Sequence, residues 1–95
     1  MENFLKIEIK KFGDILVSRP AGKEALGVIL AYMKPSSDVE FVELDFTDVK
    51  VMAPSWLDEV YTGLKEHYGE RVKLLPTTNQ SVIKSLETIL APDDE

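Results

Sequence analysis

The sequence predicts an α/β domain of order ββαβαβα: a four-stranded mixed sheet with three helices on one face. Three observations carry this. Leu5-Lys6-Ile7-Glu8-Ile9 and Val42-Glu43-Leu44-Asp45-Phe46 alternate apolar with charged side chains, the pattern of a half-buried strand. Apolar residues elsewhere recur every three or four positions, the pattern of one helix face. Beyond residue 15 the two patterns take turns, which calls for parallel strands joined by crossover helices. Right-handed crossovers stepping in one direction place every helix on the same side. A strand covered on both faces would be continuously apolar. Here Lys6, Glu8, Lys10, Glu43, Asp45 and Lys73 are left for an uncovered face.

In chain order, the first strand runs through Leu5, Ile7 and Ile9. Phe12-Gly13-Asp14 supplies turn chemistry before a short second strand, Ile15-Leu16-Val17, and so close a connection implies an antiparallel pair. Ser18-Arg19-Pro20 opens a helix, with proline tolerated in the first turn. Ala21, Ala25, Val28, Ile29 and Tyr32 form its buried stripe, and Gly22 and Gly27 within it point to close packing on the sheet. Met33-Lys34-Pro35 ends that helix, and Ser36-Ser37-Asp38 leads into the central strand. The second helix carries Leu57, Val60, Tyr61, Leu64 and Tyr68 and ends at Gly69. Arg71 to Leu75 is the last strand. Thr77-Thr78-Asn79 offers caps for a final helix bearing Val82, Ile83, Leu86, Ile89 and Leu90. Residues 91–95 read as a frayed acidic tail.

The 95 residues form one domain, 1–95, enough to bury roughly 65% of the unfolded surface. No run nears the roughly 18 apolar residues of a membrane span, and the N-terminus lacks a signal pattern. The absence of cysteine fits a reducing compartment, and the expected location is cytoplasmic. A net charge of −6, with eleven basic residues scattered among seventeen acidic ones, argues against nucleic acid and anionic membranes. No dinucleotide glycine pattern, phosphate-binding loop, zinc spacing or hydrolase elbow is present, and no cofactor is expected. Ser55 and His67 lie twelve residues apart on one helix, about 18 Å along its axis, too far for a nucleophile–base pair. No catalytic role is expected.

Function is sought where strand turns to helix, at Ala53-Pro54-Ser55. Ser55 is placed to cap the second helix, with Asp58 three residues on completing a shortened capping box. Two readings stand for it: a cap alone, or a phosphate acceptor at the positive end of a helix. Trp56 has two as well, a lid over the core or an exposed interface aromatic. The topology brings Ser18-Arg19, Asp48 to Ser55, and Thr77-Thr78-Asn79 to the carboxyl edge of the sheet, where ligands and anions favour open α/β sheets. Arg19 could pair with an added charge there.

These residues resemble a family. Leu44-Asp45-Phe46 followed by Pro54-Ser55-Trp56-Leu57-Asp58-Glu59 is similar to the central signature of STAS domains (sulfate transporter and anti-sigma factor antagonist). With Ser18-Arg19, Ala21 and Asn79 added, the pattern is closest to the STAS-like domains of unknown function. The resemblance spans roughly Ile15 to Leu90. It implies a regulatory module that binds a histidine-kinase-like ATPase acting as anti-sigma factor, with phosphorylation of Ser55 breaking the complex. Asp48, Pro54, Trp56, Asp58 and Glu59 would then belong to the contact surface. This chain differs in carrying Ala53-Pro54 where such antagonists have an acidic and a hydroxyl residue, and Trp56 where they have a small one. Two further expectations stand beside the interaction module. One is sensing of a small anion or nucleotide at the helix N-termini, using Ser18, Arg19, Thr77, Thr78 and Asn79. The other is a homodimer through the polar sheet face or the Trp56 surface.

Overall fold

Alternating side chains make Phe4–Glu8 the first strand, β1, with Ile7 buried and Lys6 and Glu8 exposed. A 3-10 turn, Ile9–Phe12, leads to β2, Ile15–Leu16. Helix α1, Arg19–Val28, continues into a π-helical turn, Ile29–Met33. Strands β3, Phe41–Asp45, and β4, Val51–Met52, precede helix α2, Pro54–Tyr68. A second 3-10 turn, Gly69–Arg71, then gives β5, Val72–Leu74, and helix α3, Gln80–Leu90. The computed structural model describes residues 4–33 and 39–91. The expected loop at 34–38 and the end of the acidic tail lie outside the described residues.

Among the described residues all the strand pairs are parallel. Strand β3 lies between β1 and β5, with Phe4 opposite Phe41, Glu8 opposite Asp45 and Glu43 opposite Lys73. A separate ladder joins β2 to β4, with Ile15 opposite Val51 and Leu16 opposite Met52. The expected antiparallel pair of the first two strands is therefore not formed. In place of a four-stranded mixed sheet there are a three-stranded and a two-stranded parallel one. The cause is Phe12-Gly13-Asp14. The N–H of Gly13 donates to the Lys10 carbonyl, closing the 3-10 turn. Gly13 itself sits at φ 131°, ψ 172°, a conformation essentially confined to glycine. The turn displaces the chain without folding it back as a hairpin turn would. Residues 4–16 consequently run beside residues 41–52 along both ladders.

One sheet face is covered and the other is wet, as the alternation predicts. Ile7, Val42, Leu44 and Val72 are buried under the helices, while Lys6, Glu8 and Lys73 are exposed on the far side. Helix α2 is central, packed against α1 on one flank and α3 on the other. It buries Trp56, Leu57, Val60 and Leu64. The stripe of α1 is narrower than its sequence spacing suggests: Ala25 and Ile29 are buried, but Ala21 and Val28 are exposed. Glycine makes up the difference. A β-carbon on Gly22 would lie 2.7 Å from the Trp56 carbonyl oxygen, so α1 approaches the backbone of α2 directly at this point. Gly27 faces open space.

These two glycines predict opposite outcomes. Gly22→Ala should destabilise by about 1–3 kcal/mol, because backbone cannot yield as a side chain can. Gly27→Ala should stabilise by up to about 1 kcal/mol through helix propensity. Urea denaturation of the two variants beside the parent checks both signs.

Candidate functional site

Helix α2 starts earlier than the sequence suggests. Pro54 occupies its first turn and Ala53, in extended conformation, is the N-cap, with no side-chain cap bond. Proline fits there because that position needs no N–H donor. Ser55 is thereby moved inside the first turn and is not the cap. Its Oγ donates instead to the Val17 carbonyl at 3.0 Å, tying α2 to the segment that enters α1. Ala53 reinforces the junction, its N–H donating to the Leu16 carbonyl at 2.9 Å. Ser55 is half-buried, at the rim.

Trp56 faces inward, on the same helix face as Val60 and Leu64. It is 1% exposed and lies against Phe12, ring centroids 6.2 Å apart. Of its two readings the core one holds, and neither a partner nor a second copy can dock on it directly. Pro54, Asp58 and Glu59 are half-buried. Arg19 does not stand free on the rim. Its Nη1 donates to Asp58 Oδ2 at 3.1 Å and to Glu59 Oε2 at 2.5 Å, bridging the first turns of α1 and α2. The hydrogen bond it donates to Glu59, then that to Asp58, raises the guanidinium above its usual range. Ser18 caps α1, its Oγ accepting the Ala21 N–H at 3.1 Å.

The third junction is fastened to the same place. Asn79 caps α3 by accepting the Val82 N–H, and its Nδ2 donates to the carbonyls of Val49 at 2.6 Å and Lys50 at 3.3 Å. Ser81 Oγ accepts the Met52 N–H at 2.8 Å and donates back to the Met52 carbonyl. Ser85, 2% exposed, donates to that carbonyl as well. The three junctions thus share one rim, as the topology predicts, but form two clusters. Ser18, Arg19, Ser55, Asp58 and Glu59 make one. The other is a cleft of about 370 Å³ lined by Thr47, Asp48, Thr77, Thr78 and Asn79, with Phe46 and Val49. Its lining holds one carboxylate and no basic side chain, and the amide of Asn79 is committed to backbone. In the turn before it, the Thr47 hydroxyl at 2.7 Å and N–H at 3.0 Å donate to Asp45 Oδ1. Thr47 first, then Lys6, holds that carboxyl below the usual range. Among the described residues no three His, Cys, Asp or Glu side chains converge to hold a metal ion.

Sequence reasoning misses the apolar part of this rim. Ile15 and Val51 are opposite each other in the short ladder and 65% and 43% exposed, and Val17 beyond them is 47% exposed. Leu16 and Met52, on the other face of the ladder, are buried. A three-residue apolar run such as Ile15-Leu16-Val17 reads as an interior strand. Its only outward signal is period two, which puts Ile15 and Val17 on the face opposite Leu16. Beside Ile15 a groove of about 270 Å³ runs between β2 and α1, floored by Leu16, Ala25 and Trp56.

These features define a small α/β domain whose built-up rim lies where its strands give way to helices. The family model described as STAS-like domain of unknown function (DUF4325) matches residues 24–84, and the chain belongs to that family. No curated protein and no solved structure matches it. Among the described residues no helix is long and apolar enough to cross a membrane.

Two measurements test this account of the rim. Asn79→Ala loses the cap and both carbonyl bonds, and should cost about 1–3 kcal/mol in chemical denaturation. Asn79→Asp keeps the cap acceptor but sets an oxygen against two carbonyls, and should not restore the loss. For Asp45 the folded pKa lies below the unfolded value of about 3.9. Its stabilisation is therefore present above that pH and lost as pH falls through the folded pKa. Asp45→Asn should flatten the acid limb of the stability–pH curve and leave its slope near neutrality unchanged.

Proposed function

We infer that this domain is a non-enzymatic regulatory module that binds another protein through the rim at the start of α2. The observation that carries the reading is the cluster of exposed Ile15, Val17 and Val51 beside Ser55. Apolar side chains exposed together on a small acidic domain are the usual mark of a protein contact. The charge of the domain favours a basic partner surface. The neighbouring cleft supports a small anionic ligand less well, since Arg19 lies with Asp58 and Glu59 and Asp48 faces the cleft.

The family resemblance supplies the kind of partner, a histidine-kinase-like ATPase, and the kind of switch, a phosphate on Ser55. Local chemistry is compatible with both. A phosphorylated Ser55 has no hydroxyl proton left to donate, so its tie to Val17 would break beside the apolar cluster. The added charge, roughly −1.5 to −2, falls in the first turn of a helix, where free N–H groups and the helix dipole favour anions. Asp58 and Glu59 oppose it, and Arg19, already between them, offsets part of that repulsion.

Titration calorimetry with candidate ATPases of this class tests the contact. Ile15→Glu should weaken binding by about tenfold or more, roughly 1.4 kcal/mol, with an unchanged melting temperature. Parental affinity in both Ile15→Glu and Val51→Glu would move the contact elsewhere. Incubation with the bound ATPase and ATP, followed by mass mapping, tests the switch separately. Phosphate at Ser55 and weakened binding by Ser55→Glu are expected. Their absence would remove the switch and leave the contact standing.

A further inference from the structure

We propose that two copies of this chain join through the outer edge of β1, antiparallel about a two-fold axis at Ile7. Strand β1 pairs with β3 on one side only, and among the described residues no strand covers its other edge. Such an edge offers a row of backbone donors and acceptors to any second strand. Which strand fits is decided by the side chains. With Ile7 on the axis, Lys6 of each copy faces Glu8 of the other. Outside that pair the ladder ends, since the chain enters the 3-10 turn at Ile9. Both charged positions of β1 meet their complements, and the two-fold repeats the match. Moving the axis to Lys6 would set two lysines opposite each other, so charge selects the register.

The open face of a single copy leaves this match unmade. Glu8 lies beside Asp45 in the β1–β3 register, two carboxylates on adjacent strands. Lys6 extends to Asp45, 3.6 Å from Oδ2, with its side chain 56% exposed. Among the described residues Glu8 has no ion-pair partner. The second copy's Lys6 would supply one and place Glu8, Asp45 and both lysines in one alternating cluster. Joining β1 to β1 would make a continuous six-stranded sheet centred on the axis. The contact is separate from the rim around Ser55 and stands or falls without it.

Charge exchange tests the register. Sedimentation velocity of the full chain should show a concentration-dependent dimer that approaches completion at millimolar protein. Lys6→Glu and Glu8→Lys should each remain monomeric, since each sets like charges at both pairs. An equimolar mixture of the two variants should dimerise again, because positions 6 and 8 then face opposite charges across the join. Circular dichroism and thermal melts establish that both variants are folded. Should Lys6→Glu not fold, amide exchange of the parent serves as the second readout: the β1 amides that face away from β3 should gain protection with rising concentration. A parent that stays monomeric at millimolar concentration would overturn the proposal. So would a dimer that survives both single changes, a mixture that stays monomeric, or protection confined to another element.

Discussion

The backbone of Met52 is the point on which the rim depends. Strand β4 is only two residues long, and a ladder of that length cannot fix its own position. Two serines of α3 do it instead. Ser81 takes both the N–H and the carbonyl of Met52, and Ser85 adds a buried donor to the same carbonyl. Asn79 holds the residues just before, at Val49 and Lys50. The next residue, Ala53, is bonded to Leu16 and caps α2. The last helix thus sets where the second begins, and the second, through Ser55 and Val17, sets where the first is entered.

That coupling gives the rim two faces with different chemistry. Toward the core it is closed by Trp56, Leu57 and Met52, all buried. Among the described residues no buried side-chain polar atom lacks a partner. Outward it shows Ile15, Val17 and Val51 on a ribbon whose flanks are ionic, with Asp14 paired to Lys10 at 3.2 Å and to Lys50 at 3.9 Å. An apolar centre within a charged frame suits a macromolecular contact better than a small anion. The Ser55 hydroxyl is bonded at the margin of that centre, to the Val17 carbonyl.

Much of this was legible in the sequence, and the exceptions have physical causes. Periodicity located all three helices, the alternating strands and the wet sheet face, and it put Ser18 and Asn79 at helix starts where they do act as caps. The direction of pairing at β1 was not legible, because Phe12-Gly13-Asp14 has the composition of a reversal. Its outcome depends on one glycine dihedral and on the better partner that β1 finds in β3. Ser55 was displaced from the cap by two residues, to Ala53, since Pro54 is suited to the first turn and needs no N–H. Trp56 lies four residues before Val60 and eight before Leu64, so the same helical spacing puts it on the buried stripe of α2. The serines of α3 gave no signal at all: Ser81 and Ser85 are ordinary polar residues on a helix until a two-residue strand lies beneath them.

The most direct test of the central claim is chemical-shift mapping of the isotopically labelled domain during titration with a binding ATPase. The largest amide changes should fall at Ile15, Val17, Val51 and Ser55, with the open sheet face little affected. Changes centred instead on the cleft between residues 46–49 and 77–79, or on Lys6, Glu43 and Lys73, would contradict it.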